Sequence, residues 1–172
     1  MKRPVFPVLK YCFIVLALTC AAACQNNKAS LSPGTKQLIT DSTGHLMTNI
    51  SKDISAKGPI AWITYFEDSP GFFMASGGQL ALKDYPTAVS FVKNSLVKSI
   101  TGIKLNWQNV KVDVLSDTYA AIGTDFHEDI TSNGQSMPFS GYFTALAHFD
   151  GKTWKLRNLH WSMREPYYSS NH

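Results

Sequence analysis

The spacing of apolar positions changes partway along the chain. Up to about residue 100 they recur at helical intervals; beyond it they alternate with polar ones. Between Leu38 and Ile54, the residues Ile39, Leu46, Ile50 and Ile54 fall near one stripe of a helix, which Gly44 weakens in its first part. Gly58-Pro59 interrupts this run, and Pro59 suits the first position of a short aromatic helix over Ile60 to Phe66. Phe72 to Ala75 predicts a small strand, and Ser76-Gly77-Gly78 a turn after it. Asp84 or Tyr85 caps a third helix with Pro86 in its first turn and Val89, Val92, Leu96 and Ile100 as its stripe. After Thr101-Gly102 the period becomes two. Val110, Val112 and Val114 alternate with Lys111 and Asp113, and a second strand runs from Tyr119 to Ile130. Ser132-Asn133-Gly134-Gln135 and Asp150-Gly151-Lys152 are hairpin signals that place two further strands, from Gly141 and from Trp154.

Helices followed by an antiparallel meander predict an α+β fold. The expected form is a cone-shaped α+β barrel: three N-terminal helices packed in the concave face of a strongly curved, mainly antiparallel sheet, with a cavity at its open end.

The first residues change the picture of where the chain works. Met1-Lys2-Arg3 precedes an apolar run from Tyr11 to Cys24, the plan of a secretory signal and shorter than the ~20 apolar residues of a membrane span. Ala21-Ala22-Ala23-Cys24, followed by Gln25-Asn26-Asn27-Lys28, resembles a bacterial lipobox, in which the cysteine carries the lipid. The expected division is a signal peptide over 1–23, a tether over 24–36 with Cys24 lipidated, a domain over 37–168 and a tail over 169–172. Cys12, Cys20 and Cys24 are the only three cysteines, so the domain has none with which to build a disulfide, a cysteine metal knuckle or a catalytic thiol. Removing Lys2, Arg3 and Lys10 from the 16 basic residues leaves 13 against 12 acidic ones. A domain so nearly neutral has no nucleic-acid footprint. The expected location is the bacterial cell envelope, held to a membrane through the lipid only.

The aromatic second helix (Ala61-Trp62 with Tyr65-Phe66), the Gly-rich turn before the third helix, Asp150-Gly151 followed by Trp154-Lys155-Leu156, and the ending Asn158-Leu159-His160-Trp161-Ser162 together carry a family resemblance. From Leu38 to Pro166 the chain resembles the nuclear transport factor 2-like superfamily, in particular its SnoaL-like and ketosteroid-isomerase-like cone folds. The closing motif is also similar to the end of the association domain of calcium/calmodulin-dependent protein kinase. The resemblance implies the fold. It does not imply one function, because the fold hosts isomerases, cyclases, dehydratases, hydrolases and non-catalytic binding modules.

The fold so implied turns one strand face towards the helices. On the last strand that face is assigned to Trp154, Leu156, Asn158, His160 and Ser162, since Trp and Leu would fill the closed end. Tyr142 and Thr144 join it from the neighbouring strand, Asp125 and His127 from the strand beyond, and Trp62, Tyr65 and Phe66 cover it from the helices. This is an apolar cavity with convergent polar groups, the usual plan of a small-ligand site. In a catalytic reading Asp125 or His160 is the base and Tyr142 donates a hydrogen bond to an oxyanion. In the plainer reading Asp125 is a rim carboxylate that orients His127 or His160. His160 with Ser162 lacks a nucleophile elbow, and no HExxH is present, so neither a hydrolytic triad nor a metal is expected. No cofactor is implied. The opposite face is assigned Phe143, Ala145, Phe149, Leu159, Trp161 and Met163, an apolar patch through which the superfamily's sheet-to-sheet pairing would make a homodimer.

Two main functions stay open. One is a cell-envelope domain that binds a small, partly apolar molecule, or a dimeric accessory domain, without catalysis. The other is an isomerase, cyclase or dehydratase acting by proton transfer in the same pocket. A pure protein-interaction module is a third.

Overall fold

The computed structural model describes residues 30–164. The signal segment, Cys24 and the final residues therefore lie outside the described residues, and no described helix is long and apolar enough to cross a membrane.

The first helix, α1 (Pro33–Lys57), begins earlier than the apolar stripe indicates. Ser32 is its cap, its Oγ accepting from the Thr35 N–H at 3.1 Å, and Pro33 fits the first turn, where no N–H is needed. The helix ends at Gly58, whose φ of 75° is one that other residues adopt at a cost. Its buried stripe is Ile39, Thr43, Leu46, Met47, Ile50 and Ile54, and it lies along the third strand. A 3₁₀ turn, Pro59–Ala61, leads into α2 (Trp62–Tyr65), whose Trp62 and Tyr65 are buried. The strands β1 (Phe73–Ser76) and β2 (Gln79–Leu82) form a hairpin around Gly77 and Gly78, both at positive φ. Asp84 caps α3 (Tyr85–Phe91) by accepting from the Thr87 N–H at 2.8 Å. That helix continues through a π turn, Val92–Leu96, into α4 (Val97–Ser99).

Four long strands follow: β3 (Gly102–Val114), β4 (Tyr119–Ser132), β5 (Gln135–Phe149) and β6 (Trp154–Met163). The sheet order is β2-β1-β6-β5-β4-β3, antiparallel throughout except where β1 runs parallel to β6. Asn133 and Gly134, at φ of 52° and 77°, make the β4–β5 turn, and the Asp150 carboxylate accepts from the N–H groups of Lys152 and Thr153 in the β5–β6 turn. The expected α+β architecture is therefore present: helices against a curved, open, six-stranded and mostly antiparallel sheet.

The assignment of faces is reversed over most of the sheet. The β5–β6 register shifts: Ala147 pairs with Leu156, but Leu146 pairs with Asn158. One residue, Arg157, is extra on β6. A bulge of this kind inverts the side-chain alternation beyond it. Leu156 faces the helices as expected, but past the bulge Leu159 and Trp161 face them too, while His160 is exposed. On β5 the inward residues are Phe143, Ala145 and Ala147; on β4 they are Ala120, Ile122, Thr124, Phe126 and Glu128. Phe143 (0 % exposed), Ala145 and Leu159 thus belong to the core and cannot form the outward patch assigned to them. Trp161 stands at the centre of an aromatic cluster, its ring centroid 4.5 Å from Phe126, 5.0 Å from Phe143 and 5.8 Å from Trp62. Each such buried ring contributes roughly 2 kcal/mol through area removed from water. Phe149 packs on Trp154, and Met163 is exposed at the end of the strand.

Candidate functional site

The inward face of β4 reads Ala120, Ile122, Thr124, Phe126, Glu128, Ile130. The alternation that buries Phe126 also carries Glu128 onto the apolar side, opposite Leu105 of β3 and Phe139 of β5. Thr124, the other polar residue of this face, satisfies its hydroxyl by donating to the Gln108 carbonyl at 2.8 Å. Glu128 has no such partner: among the described residues no donor bonds its carboxyl. It is only 8 % exposed. Burial disfavours its charged form and pushes its pKa up to about 7.

Glu128 lines a cavity of about 200 Å³ between the helices and the sheet. Trp62 of α2 and Phe66 just after it form one wall, stacked with centroids 5.7 Å apart, and Trp161 meets Trp62 edge-on. Phe91, Val92 and Leu96, around the π turn, form another, and Met74, Ser76 and Leu82 close it from the β1–β2 hairpin. Among the described residues Glu128 is the one ionisable side chain in the lining. A cavity of this size holds a compact molecule; dry apolar cavities of ~150 Å³ take benzene. A carboxyl titrating near neutral pH can accept hydrogen bonds from a ligand, or exchange a proton with it.

The residues expected to share one pocket are dispersed. Trp62 and Phe66 line the cavity. Tyr65 is turned towards α1, where its hydroxyl donates to Asp53 at 2.8 Å; burial, then this bond, raises its pKa to about 12. Asp125 is on the outer face, accepting from Asn109 Nδ2 at 3.1 Å and pairing with Arg164 at 3.3 Å. His127 and Ser162 are exposed, and Tyr142 lies outside with its hydroxyl over Gly123, where even a methyl group would crowd it. Thr144, Asn158 and His160 do come together, but in a broad outer hollow of about 540 Å³ bordered by Lys111 and Asp113. Asn158 is engaged there, donating to the Gly71 carbonyl at 2.7 Å. The candidate base and oxyanion donor, Asp125 or His160 with Tyr142, are thus on the side of the sheet away from the cavity. Glu128 escaped the sequence reading, although a signal existed: it falls in the same alternating register as Ile122, Phe126 and Ile130.

A second buried carboxylate lies elsewhere. Glu67, after α2, accepts from His148 Nδ1 at 3.1 Å and has Arg157 Nη1 at 3.7 Å. Arg157 also donates to the Tyr119 hydroxyl at 3.1 Å, and the Tyr119 ring stacks on His148 with centroids 4.4 Å apart. The bulge residue of β6 therefore helps to hold residues 67–71 against the sheet.

No family model and no curated protein matches this sequence. Solved structures do. A nuclear transport factor 2 superfamily protein from Salmonella enterica serovar Typhimurium superposes with a TM-score of 0.62 at 16 % identity, covering 81 % of this chain and 97 % of that one. The type 3 hexachlorocyclohexane dehydrochlorinase LinA from Novosphingobium barchaimii gives 0.62 at 13 % identity, covering 78 % and 92 %. A Shewanella oneidensis protein of the same fold and unknown function gives 0.53 at 15 %, covering 72 % and 98 %. At these identities the likeness is one of fold: the domain has the nuclear transport factor 2-like cone fold. Proteins of this fold include enzymes and proteins without assigned activity, so the fold alone selects neither.

Proposed function

We propose that this domain binds a small, compact, mostly apolar molecule in the cone cavity and that Glu128 anchors the molecule's one polar group. The observation that carries the reading is the Glu128 carboxyl, 8 % exposed and without a donor among the described residues, in an otherwise apolar cavity. Burial disfavours the charged form of this carboxyl, and a ligand that supplies a donor offsets that cost. Trp62 and Trp161 supply the readout, since a ligand entering the cavity changes their fluorescence. A titration with small cyclic hydrocarbons and alcohols is expected to quench that fluorescence saturably. Leu96→Trp, which fills one wall, is expected to abolish the response. A response unchanged by Leu96→Trp, or none with the unaltered protein, refutes the cavity as a binding site.

A second reading has one specific observation in its favour. A carboxyl with a pKa of about 7 is poised to act as a general base or acid at neutral pH. On this reading the domain is a proton-transfer enzyme and Glu128 replaces Asp125 and His160 as its base. Turnover of a candidate substrate that survives in Glu128→Gln would end it.

We also propose that the domain is carried on the cell envelope by a lipid on Cys24, the reading that the Ala-Ala-Ala-Cys segment supports. Incorporation of labelled palmitate that is lost in Cys24→Ala tests this; labelling that persists in the variant refutes it.

A further inference from the structure

The geometry points to a small organic ammonium ion as the ligand of the cone cavity, held by the Glu128 carboxylate and by the faces of Trp62, Phe66 and Trp161. This inference rests on the binding reading above and gives the ligand a chemical class.

The cavity offers a polar ligand group very little. Among the described residues Glu128 is its one ionisable side chain, and none of its lining residues is a Lys, Arg or His that could receive an anion. Ser76 and the indole N–H groups of Trp62 and Trp161 are the other polar groups among the described side chains of the lining. The Glu128 carboxyl, 8 % exposed and without a donor among the described residues, presents oxygen atoms and no fixed N–H groups. A complementary ligand group must therefore bring its own donors. A ligand that brings positive charge as well gains most, because a buried carboxylate interacts strongly with a cation at low local dielectric.

The aromatic walls favour the same class. Trp62 and Phe66 stack at 5.7 Å, and Trp161 stands edge-on to Trp62 at 5.8 Å. Indole and benzene faces attract cations, and more strongly where water is excluded. A carboxylate combined with three aromatic residues is the arrangement expected for an alkylammonium group. The size is limiting: about 200 Å³ admits a single ring or a short branched amine.

Cyclohexylammonium, cyclohexanol and methylcyclohexane are matched in shape and differ in the one group that matters. Calorimetric titration of the purified protein at pH 8 is expected to give an affinity for cyclohexylammonium at least ~10-fold above that for cyclohexanol, with methylcyclohexane weaker still. In Glu128→Gln the preference for the ammonium is expected to disappear while cyclohexanol binding persists, which also reports that the variant is folded. In the unaltered protein the ammonium affinity is expected to rise from pH 6 to pH 8, because its partner must be ionised. Equal or tighter cyclohexanol binding at pH 8, or an ammonium preference that survives in Glu128→Gln, overturns the inference and leaves the binding reading standing. Failure of all three compounds to bind overturns both.

Discussion

Two glutamates are buried to nearly the same extent, Glu67 at 9 % and Glu128 at 8 % exposure, in opposite surroundings. Glu67 is met by His148 and Arg157, and the Tyr119 ring and hydroxyl extend that network. Glu128 is met by apolar side chains and an open cavity. Burial alone therefore does not mark a functional group. The first carboxylate ties a loop to the sheet through its Oε1, while its Oε2 is buried without a partner among the described residues. The second has no donor among the described residues. The contrast is what directs attention to Glu128.

That contrast can be broken in several ways. The largest effect is expected from Glu67→Ala, which leaves Arg157 and His148 facing a partly buried void. A loss of roughly 3 kcal/mol is expected from urea unfolding at pH 7. A loss under about 0.5 kcal/mol would mean that the network is ornamental.

Glu128→Gln should act in the other direction, and only above a certain pH. The carboxyl titrates near 4.5 when exposed and at about 7 in the folded domain, so the folded state holds the proton more tightly between those values. The contribution of Glu128 to stability should be greatest below about pH 4.5, fall as the pH rises towards 7, and level off above it. At about 1.4 kcal/mol per pH unit the full decline approaches roughly 3 kcal/mol. Glu128→Gln should lack it, matching the parent near pH 4.5 and exceeding it by roughly 2–3 kcal/mol at pH 8. Superimposable pH–stability curves for the two proteins would show that Glu128 is not held in an apolar site.

A smaller effect is expected from Arg157→Lys, which keeps the charge beside Glu67 but loses the planar fork that also reaches Tyr119. About 1 kcal/mol is expected, with the Tyr119–His148 stack loosened, as read from the His148 ring proton shifts. The smallest is expected from Asp125→Asn. The Arg164 partner is two-thirds exposed, and such pairs contribute roughly 0–1 kcal/mol. An unfolding midpoint that stays in place confirms that this carboxylate belongs to the outer surface.

The reading of β4 shows why part of the candidate site was legible and part was not. Ile122, Phe126 and Ile130 mark an apolar face by period alone, and Glu128 lies in phase with them; that much is written in the chain. Trp154 and Leu156 of β6 point to the opposite face of the sheet if they fill the closed end and alternation continues unbroken. Leu156 is indeed buried, but Arg157 is an extra residue. Nothing in Lys155-Leu156-Arg157-Asn158 announces a bulge; Arg157 there meets Glu67 and Tyr119, and β1 pairs alongside, all from distant parts of the chain. One residue of slip then turned Asn158, His160 and Ser162 outward, and carried the error to Tyr142, Thr144, Asp125 and His127 through the pairing of strands.

By itself the sequence determined what depends on neighbours along the chain. Ser32-Pro33 and Asp84 start helices, Gly58 ends one, and Asn133-Gly134 and Asp150-Gly151 turn strands, since caps and turns are decided by a few adjacent dihedrals and hydrogen bonds. These features and the change of period suffice for the α+β class. Only the tertiary structure decided which strand face meets the helices, that β1 joins β6 in parallel, that Glu67 finds a histidine and an arginine while Glu128 finds none, and that a cavity remains beside it. Those outcomes depend on contacts between residues far apart in the chain, where a single bulge exchanges the inside of a sheet for its outside.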